Sequence, residues 1–190
     1  MARWEPAADE RLQKAALELF ASRGFDETTV ADVAAAAGLT ERTFYRYFAD
    51  KREVLFPGHD FFQNTFLAAL DTAPKDARPF DQVMTAVASV CGTFGPFTEE
   101  RRPWSRLRQV VIVAHPELLE RELLKMSALA GALAGALRAR GVTDPTASLA
   151  AESAVMVFRV AFEQWVAPSA TRTLVDIQGD VLREMRALAA

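Results

Sequence analysis

A chain of 190 residues with 51% apolar and 25% charged side chains is composed like a folded globular protein of one or two domains, which excludes intrinsic disorder. The formal net charge of −3 excludes a protein that coats nucleic acid through bulk positive charge, and a single cysteine, Cys91, excludes an intrachain disulfide framework. No run approaches the roughly 18 consecutive apolar residues of a membrane span, and the opening MARWEPAADERLQ lacks the apolar core of a secretory signal, so a cytoplasmic protein with no membrane partner is expected.

The first helix is expected from about Pro6, with Leu12, Ala16, Leu19 and Phe20 at i, i+4, i+7 and i+8 forming one apolar face. Gly24 ends it, and Phe25 is placed to pack back on it. A second, short helix starts after Thr29, whose hydroxyl can cap orphan N–H groups, with Asp32 at the capping-box position. Val30, Val33, Ala34 and Ala37 give it an apolar face, and Gly38 ends it in a left-handed conformation. Thr40 caps a third helix at once, with Leu39 and Phe44 spaced as a hydrophobic staple, and Asp50 and Glu53 mark the start of a fourth. Helix, short Gly-containing turn and capped short helix are the signature of a helix-turn-helix.

The third helix carries the chemistry. Phe44 and Phe48 stand at i and i+4 and bury together, which turns Arg42, Thr43, Arg46 and Tyr47 outward. Arg pairs bidentately with guanine, Thr meets a thymine methyl or a phosphate, and Tyr hydroxyls bond phosphates. The alternative is a solvated helical hairpin whose Arg and Tyr are ordinary surface residues. Over residues 1–56 eight basic side chains face ten acidic ones, whereas residues 40–52 carry a net +2. Affinity for DNA would therefore rest on few phosphate contacts and on a dimer.

Residues 12–56 resemble the DNA-binding domain of the tetracycline-repressor (TetR) family. The resemblance is carried by AALELFASRGFDETTVADVAAAAGLT followed by ERTFYRYFADKREVL, including Gly24-Phe25, Thr28-Thr29-Val30, Ala37-Gly38-Leu39, Thr43-Phe44-Tyr45, Tyr47-Phe48 and Lys51. It implies a homodimeric, ligand-responsive transcriptional regulator, most often a repressor, in which the fourth helix resembles a lever joining ligand domain to DNA head.

That fourth helix is expected to run from Lys51 toward Leu70, with Pro57-Gly58 making either a kink or a helix boundary. A loop at residues 72–79 leads to a helix from Phe80 to about Phe94, and another spans Glu99 to Ala114 before the His115-Pro116 break. The helix from Glu117 to Arg140 places acids at its start and Arg138 and Arg140 at its end, as the macrodipole favours. Its Gly131 and Gly135 suggest a close helix crossing. The last two helices, about Thr146–Val166 and Thr171–Leu188, carry more apolar surface than one cover layer buries. They are expected to form a four-helix bundle across a two-fold axis, the alternative being a monomeric core helix under a cover helix.

No catalytic set, phosphate loop, metal-ligand cluster or cofactor motif is visible. His59 and His115 are isolated, and Cys91 sits inside an apolar helix as a small core residue. Glu152, Arg159 and Glu163 share one helical face, as polar anchors of a cavity or, more simply, as a surface salt-bridge stripe. An effector pocket for a mid-sized apolar ligand would draw on Phe62, Phe66, Phe94, Trp104, Phe158 and Trp165, although aromatics at helical spacing also make ordinary cores.

Together these features describe an all-α, two-domain protein. Residues 1–56 would form the helix-turn-helix head and residues 57–190 a helical effector-binding and dimerisation domain. Thr29, Thr40, Arg42, Thr43, Tyr45, Arg46, Tyr47 and Lys51 are the expected DNA-binding residues. Partners would be double-stranded operator DNA, a small hydrophobic effector and a second copy joined through residues 146–188. The alternative is a helical ligand-binding or protein-interaction module that has lost DNA binding.

Overall fold

The computed structural model describes residues 7–56, 59–92 and 95–188, the side chains of residues 59 and 60 excepted. Among the described residues all regular structure is helical: nine α-helices and two 3₁₀ turns, with no strand. None of these helices is long and apolar enough to cross a membrane. The chain divides into two compact units, Met1–Gly58 with Leu107–Leu119, and His59–Arg106 with Glu120–Ala190.

The first unit contains α1 (Ala8–Arg23), α2 (Val30–Ala36), α3 (Glu41–Tyr47) and a 3₁₀ turn at Glu53–Leu55. It also takes in the end of α6 (Arg102–Ala114) and the start of α7 (Pro116–Ala139). Its core is the apolar set that the helical periods define, Leu12, Ala16, Phe20, Phe25, Val33 and Phe44. To these the later segment adds Val111, Ile112 and Leu118, which nothing local in the first 58 residues announces.

Each turn here has a chemical cause. Gly24 takes φ +97° and ψ 152° and donates its N–H to the Phe20 carbonyl at 3.1 Å, so α1 stops and Phe25 swings back onto Phe20, ring centroids 4.9 Å apart. The buried Thr28 hydroxyl donates to the Gly24 carbonyl at 2.8 Å and holds the loop closed. α2 ends in a Schellman motif: Leu39 N–H reaches Ala34 O at 2.8 Å, Gly38 N–H reaches Ala35 O at 2.9 Å, and Gly38 sits at φ +66°.

The expected fourth helix does not begin at Lys51. Asp50 accepts N–H bonds from Arg52 at 2.7 Å and Glu53 at 3.1 Å, but the turn it caps is the single 3₁₀ turn, and α4 starts only at His59. Val54, Leu55 and Phe56 are all buried, and three consecutive side chains in an α-helix spread over too wide an arc for one face to bury them. Pro57 and Gly58, the expected kink or helix boundary, lie outside the described residues.

The second unit holds α4 (His59–Thr72), α5 (Pro79–Cys91), the opening of α6, most of α7, α8 (Thr146–Trp165) and α9 (Leu174–Leu188). Pro79 occupies the first helical turn of α5, where its missing N–H costs nothing. α8 packs on both α5 and α9, and its buried Ala147, Ala150, Ala151, Ala154 and Ala161 let the helices approach closely. The helix expected from Glu99 opens as a 3₁₀ turn, Glu99–Arg101, before α6 proper.

Arginines tie this unit together. Arg102 donates to the carbonyls of Ala170 (2.8 Å) and Arg172, and Arg106 to those of Val166 (2.8 Å) and Ala167 (2.9 Å), so α6 holds the α8–α9 connection. Arg140 bonds buried Gln82 at 2.9 Å and the Leu70 carbonyl at 2.6 Å, while Gln82 donates to the Ala77 carbonyl at 2.9 Å. The expected crossing at Gly131 and Gly135 is not made within the described chain. Both glycines are exposed, and a Cβ on either would meet nothing within 4 Å, because α7 buries the opposite face with Leu129, Leu133 and Leu137.

Candidate nucleic-acid interface

The short α3 is built to present one face rigidly. Thr40 accepts the Thr43 N–H at 3.2 Å and shares a hydroxyl–hydroxyl bond with Thr43 at 3.0 Å, so both threonines are ordered at the helix start. Phe44 is fully buried, and its ring lies 5.4 Å from that of Phe48. With those rings anchored inward, Arg42, Tyr45, Arg46 and Tyr47 are exposed, Tyr45 at 56% and Tyr47 at 44%.

Arg46 and Tyr47 form an ordered pair. The Arg46 guanidinium carbon stands 4.8 Å from the Tyr47 ring centroid, and Nη2 donates to the Tyr47 hydroxyl at 3.2 Å. One donor is thereby used, and the remaining fork is held in a limited range of poses before any ligand arrives.

The flanking residues are more constrained than their types suggest. Thr29 makes the full capping box: its Oγ1 accepts Asp32 N–H at 3.1 Å, and the Asp32 carboxylate accepts Thr29 N–H at 2.9 Å and its hydroxyl at 2.6 Å. The Thr29 hydroxyl and backbone bonds hold Asp32 below the usual carboxylate range, so its negative charge sits at the N-terminus of α2, where a phosphate would otherwise be favoured. Lys51 is half-buried, donating to the Phe25 carbonyl at 2.6 Å and lying 4.2 Å from the Phe25 ring centroid. That bond takes one of its three N–H donors and fixes where the ammonium stands.

Arg52 is neutralised locally by Asp50, with Nη2 at 2.8 Å and Nε at 3.2 Å. Burial pushes the Asp50 carboxyl up, but the Arg52 side chain and the N–H groups of Glu53 and Arg52 outweigh it and leave the group below its ordinary value. The positive charge that α3 and its flank offer a polyanion thus comes from Arg42, Arg46 and Lys51.

Arg11, which is not among the expected site residues, ties α1 to the turn that precedes α3. Its Nη2 donates to the Ala37 carbonyl, stapling α1 to the end of α2 where the turn into α3 begins. The partners are 26 positions apart, beyond the reach of any local pattern. His115 is likewise structural, with Nδ1 2.8 Å from the Val111 carbonyl and its ring 5.2 Å from that of Phe25.

The residues expected to line an effector pocket separate into groups. Phe62, Phe66, Phe158 and Trp165 come together with Phe97 and Phe162. Phe66–Phe158 and Phe62–Phe66 are both 5.1 Å apart, and Phe97–Phe158 is 5.4 Å. These are ring-on-ring packing distances. Trp165 is fully buried and donates Nε1–H to Glu99 at 3.0 Å, with the Arg102 guanidinium 5.3 Å from its ring. Trp104 is a surface residue of α6, 36% exposed, and Phe94 lies outside the described residues.

A separate open cleft of about 590 Å³ runs along α4 and α5 to the segment Gly95–Arg101. Ala69, Val90 and Pro96 give it an apolar floor, and among the described residues Arg101 is its one ionisable lining residue. None of Phe62, Phe66, Trp104, Phe158 and Trp165 is among its described lining residues. Cys91 is buried in the core, where burial pushes its thiol up to about 12, far from a reactive thiolate. No group of three or more His, Cys, Asp or Glu among the described residues is placed to hold a metal ion. Arg159 and Glu163 form an exposed i,i+4 ion pair at 3.0 Å, and Glu152 is exposed, as a surface stripe requires.

Comparison with known proteins places both segments. Residues 12–56 match the family described as bacterial regulatory proteins, tetR family, and residues 81–190 match the MftR C-terminal domain. The HTH-type transcriptional regulator TcmR of Streptomyces glaucescens is 37% identical over 83 residues, 44% of this chain and 37% of that protein. MftR of Mycobacterium tuberculosis, a candidate mycofactocin biosynthesis transcriptional regulator, is 37% identical over 103 residues, 54% of this chain and 50% of that protein. The chain therefore matches half or less of the length of these curated relatives.

Among solved structures, a candidate TetR-family transcriptional regulator from Syntrophomonas wolfei superposes with a TM-score of 0.69 at 18% identity, covering 96% of this chain and 94% of that one. FadR of Thermus thermophilus, in complex with lauroyl-CoA, gives a TM-score of 0.55 at 21% identity, covering 94% and 93%. FadR of Bacillus subtilis, in complex with stearoyl-CoA, gives 0.58 at 17%, covering 92% and 95%. At these identities the likeness is one of fold.

Proposed function

Because the chain belongs to the tetR family of bacterial regulatory proteins, whose members compared above are transcriptional regulators rather than enzymes, we propose that it is a ligand-responsive repressor that binds a pseudo-palindromic operator as a homodimer in the cytoplasm. The observation that carries this reading is the outer face of α3, where Arg42, Arg46 and Tyr47 stand exposed on a helix anchored by buried Phe44. Arg42, Thr43, Arg46 and Tyr47 would enter the major groove and read base edges. Thr40, Tyr45 and Lys51 would hold phosphates, with Thr29 contributing through the α2 N-terminus that Asp32 shares.

DNA reading is placed in the head, residues 1–56, and effector binding with dimerisation in residues 57–190. α8 supports a second copy as partner, since Leu149 and Met156, seven residues apart on one face, are 64% and 43% exposed. The two FadR structures carry acyl-CoA on this fold, which supports a small hydrophobic effector here. Binding of that effector would favour the conformer with lower operator affinity, a coupling of about 1–3 kcal/mol.

The test is selection of bound duplexes from a random DNA library, followed by the affinity of the winner against salt. A two-fold symmetric winner is expected, with a salt slope reflecting only a few phosphates per protomer. A folded protein that enriches no duplex, with or without hydrophobic ligands, would instead identify a ligand-binding or protein-interaction module whose acidic head no longer reads DNA.

A further inference from the structure

The aromatic interior and the open cleft of the second unit make opposite offers to a ligand. Inside, Phe62, Phe66, Phe97 and Phe158 stack ring against ring and offer aromatic faces with no charge of their own. Outside, the cleft has about 590 Å³ already open, within the range of small-molecule sites. Its floor, Ala69 and Val90, is buried and apolar, and Pro96 closes one wall.

The polar groups around it define the head group. The Thr65 and Thr72 hydroxyls donate to their own helix, to the Phe61 carbonyl at 2.7 Å and the Ala69 carbonyl at 2.8 Å, so they have no proton left for an incoming anion. Arg101 is exposed and lines the cleft; its backbone N–H donates to the Thr98 carbonyl at 3.0 Å, while its guanidinium forms no hydrogen bond or ion pair with another described residue. The neighbouring Glu99 is turned elsewhere, bonded to Trp165 and paired with Arg102. Among the described lining residues, which also include Ser89 and Thr98, that guanidinium is the one charge, and it matches one carboxylate with a short apolar body, since the planar fork takes both oxygens at once.

We infer that this cleft binds an amphipathic monocarboxylate, its chain or ring along Ala69, Val90 and Pro96 and its carboxylate on Arg101. The inference names the ligand class for the effector reading above, but at a site distinct from the aromatic cluster.

Isothermal titration of the full chain with octanoate and with octanol separates head from tail. Octanoate is expected to bind more tightly than octanol, and Arg101→Gln to weaken octanoate about tenfold while leaving octanol unchanged, the loss expected of one charge-assisted contact. Ala68→Trp alters an exposed residue that lines the cleft, and should abolish binding of both ligands without moving the melting temperature. Three results would each overturn the inference: no octanoate binding to the wild type, unchanged octanoate affinity in Arg101→Gln, or retained binding in Ala68→Trp. Duplex selection on the same preparations keeps the two readings apart. DNA binding without octanoate binding sinks the cleft alone, and octanoate binding without any selected duplex sinks the regulator.

Discussion

Gly38→Ala tests how α3 is aimed. Gly38 sits at φ +66°, a conformation that costs an L side chain about 1 kcal/mol or somewhat more. A Cβ placed there would also lie 3.0 Å from Arg11 Nη2, the atom that donates to the Ala37 carbonyl. The guanidinium must yield, and loss of a charge-assisted hydrogen bond costs about 1.5–3 kcal/mol if it breaks entirely. The substitution should therefore destabilise by about 1 kcal/mol from the backbone and by up to about 3 more through Arg11.

Urea unfolding followed by helical circular dichroism, at one fixed protein concentration, measures this sum. The Arg11→Ala background removes the second contribution, so Gly38→Ala there should cost only the backbone part, leaving a coupling energy of about 1 kcal/mol or more. Additive effects of the two substitutions, or a Gly38→Ala change below about 0.5 kcal/mol, would refute the argument that Arg11 and Gly38 jointly fix the turn.

Arg46→Ala should relax preference at one operator position by about 1–3 kcal/mol, whereas Lys51→Ala should weaken all duplexes alike and lower the salt slope by about one phosphate. Equal losses of specificity in the two variants would contradict that division. Asp144 is held down from 3.8 to about 2 by hydrogen bonds from Arg138 and Ser148, so its contribution to stability is present above about pH 4 and is lost as pH falls through 2. The melting-temperature deficit of Asp144→Asn should shrink over that interval, and a deficit constant down to pH 2 would exclude the linkage. With its thiol near 12, Cys91 should react with a thiol-specific disulfide reagent at pH 8 only as fast as the protein opens, and rapid labelling of the native state would show the site is not closed.

Much of the head was legible because its signals are local. Thr29 with Asp32, Thr40 with Thr43, and Gly38 act across three or four residues, which is the reach of capping chemistry, and each is realised in the structure. The start of the fourth helix was misjudged for a related reason. Asp50 does cap, but burial of Val54, Leu55 and Phe56 together outweighs the preference for continuing an α-helix. What the pattern could not reach is non-local: the Arg11 bond to Ala37, and Val111, Ile112 and Leu118 in the head core.

On the ligand side, the aromatic periods of α4 and α8 were visible, but periodicity alone does not distinguish rings that line a space from rings that fill one. Phe97 belongs to the cluster yet follows Gly95-Pro96, where no helical period points to it. Lys51 reads as a surface cation from sequence and is half-buried on Phe25, a contact made 26 positions away.

The membership of Leu107–Leu119 in the first unit has a practical consequence for anyone who would graft the proposed DNA reader onto another sensor. Severing the polypeptide near residue 56 would strip Val111, Ile112 and Leu118 from the apolar interior, and large buried side chains lost without replacement cost several kcal/mol in total. A chimaera joined there would inherit a partly hollow reader, unless the new sensor brought its own equivalent of those three side chains. If the proposed function holds, a change of DNA preference is better sought by swapping the outward side chains of α3 in place, where Arg42, Arg46 and Tyr47 can change while Phe44 stays anchored.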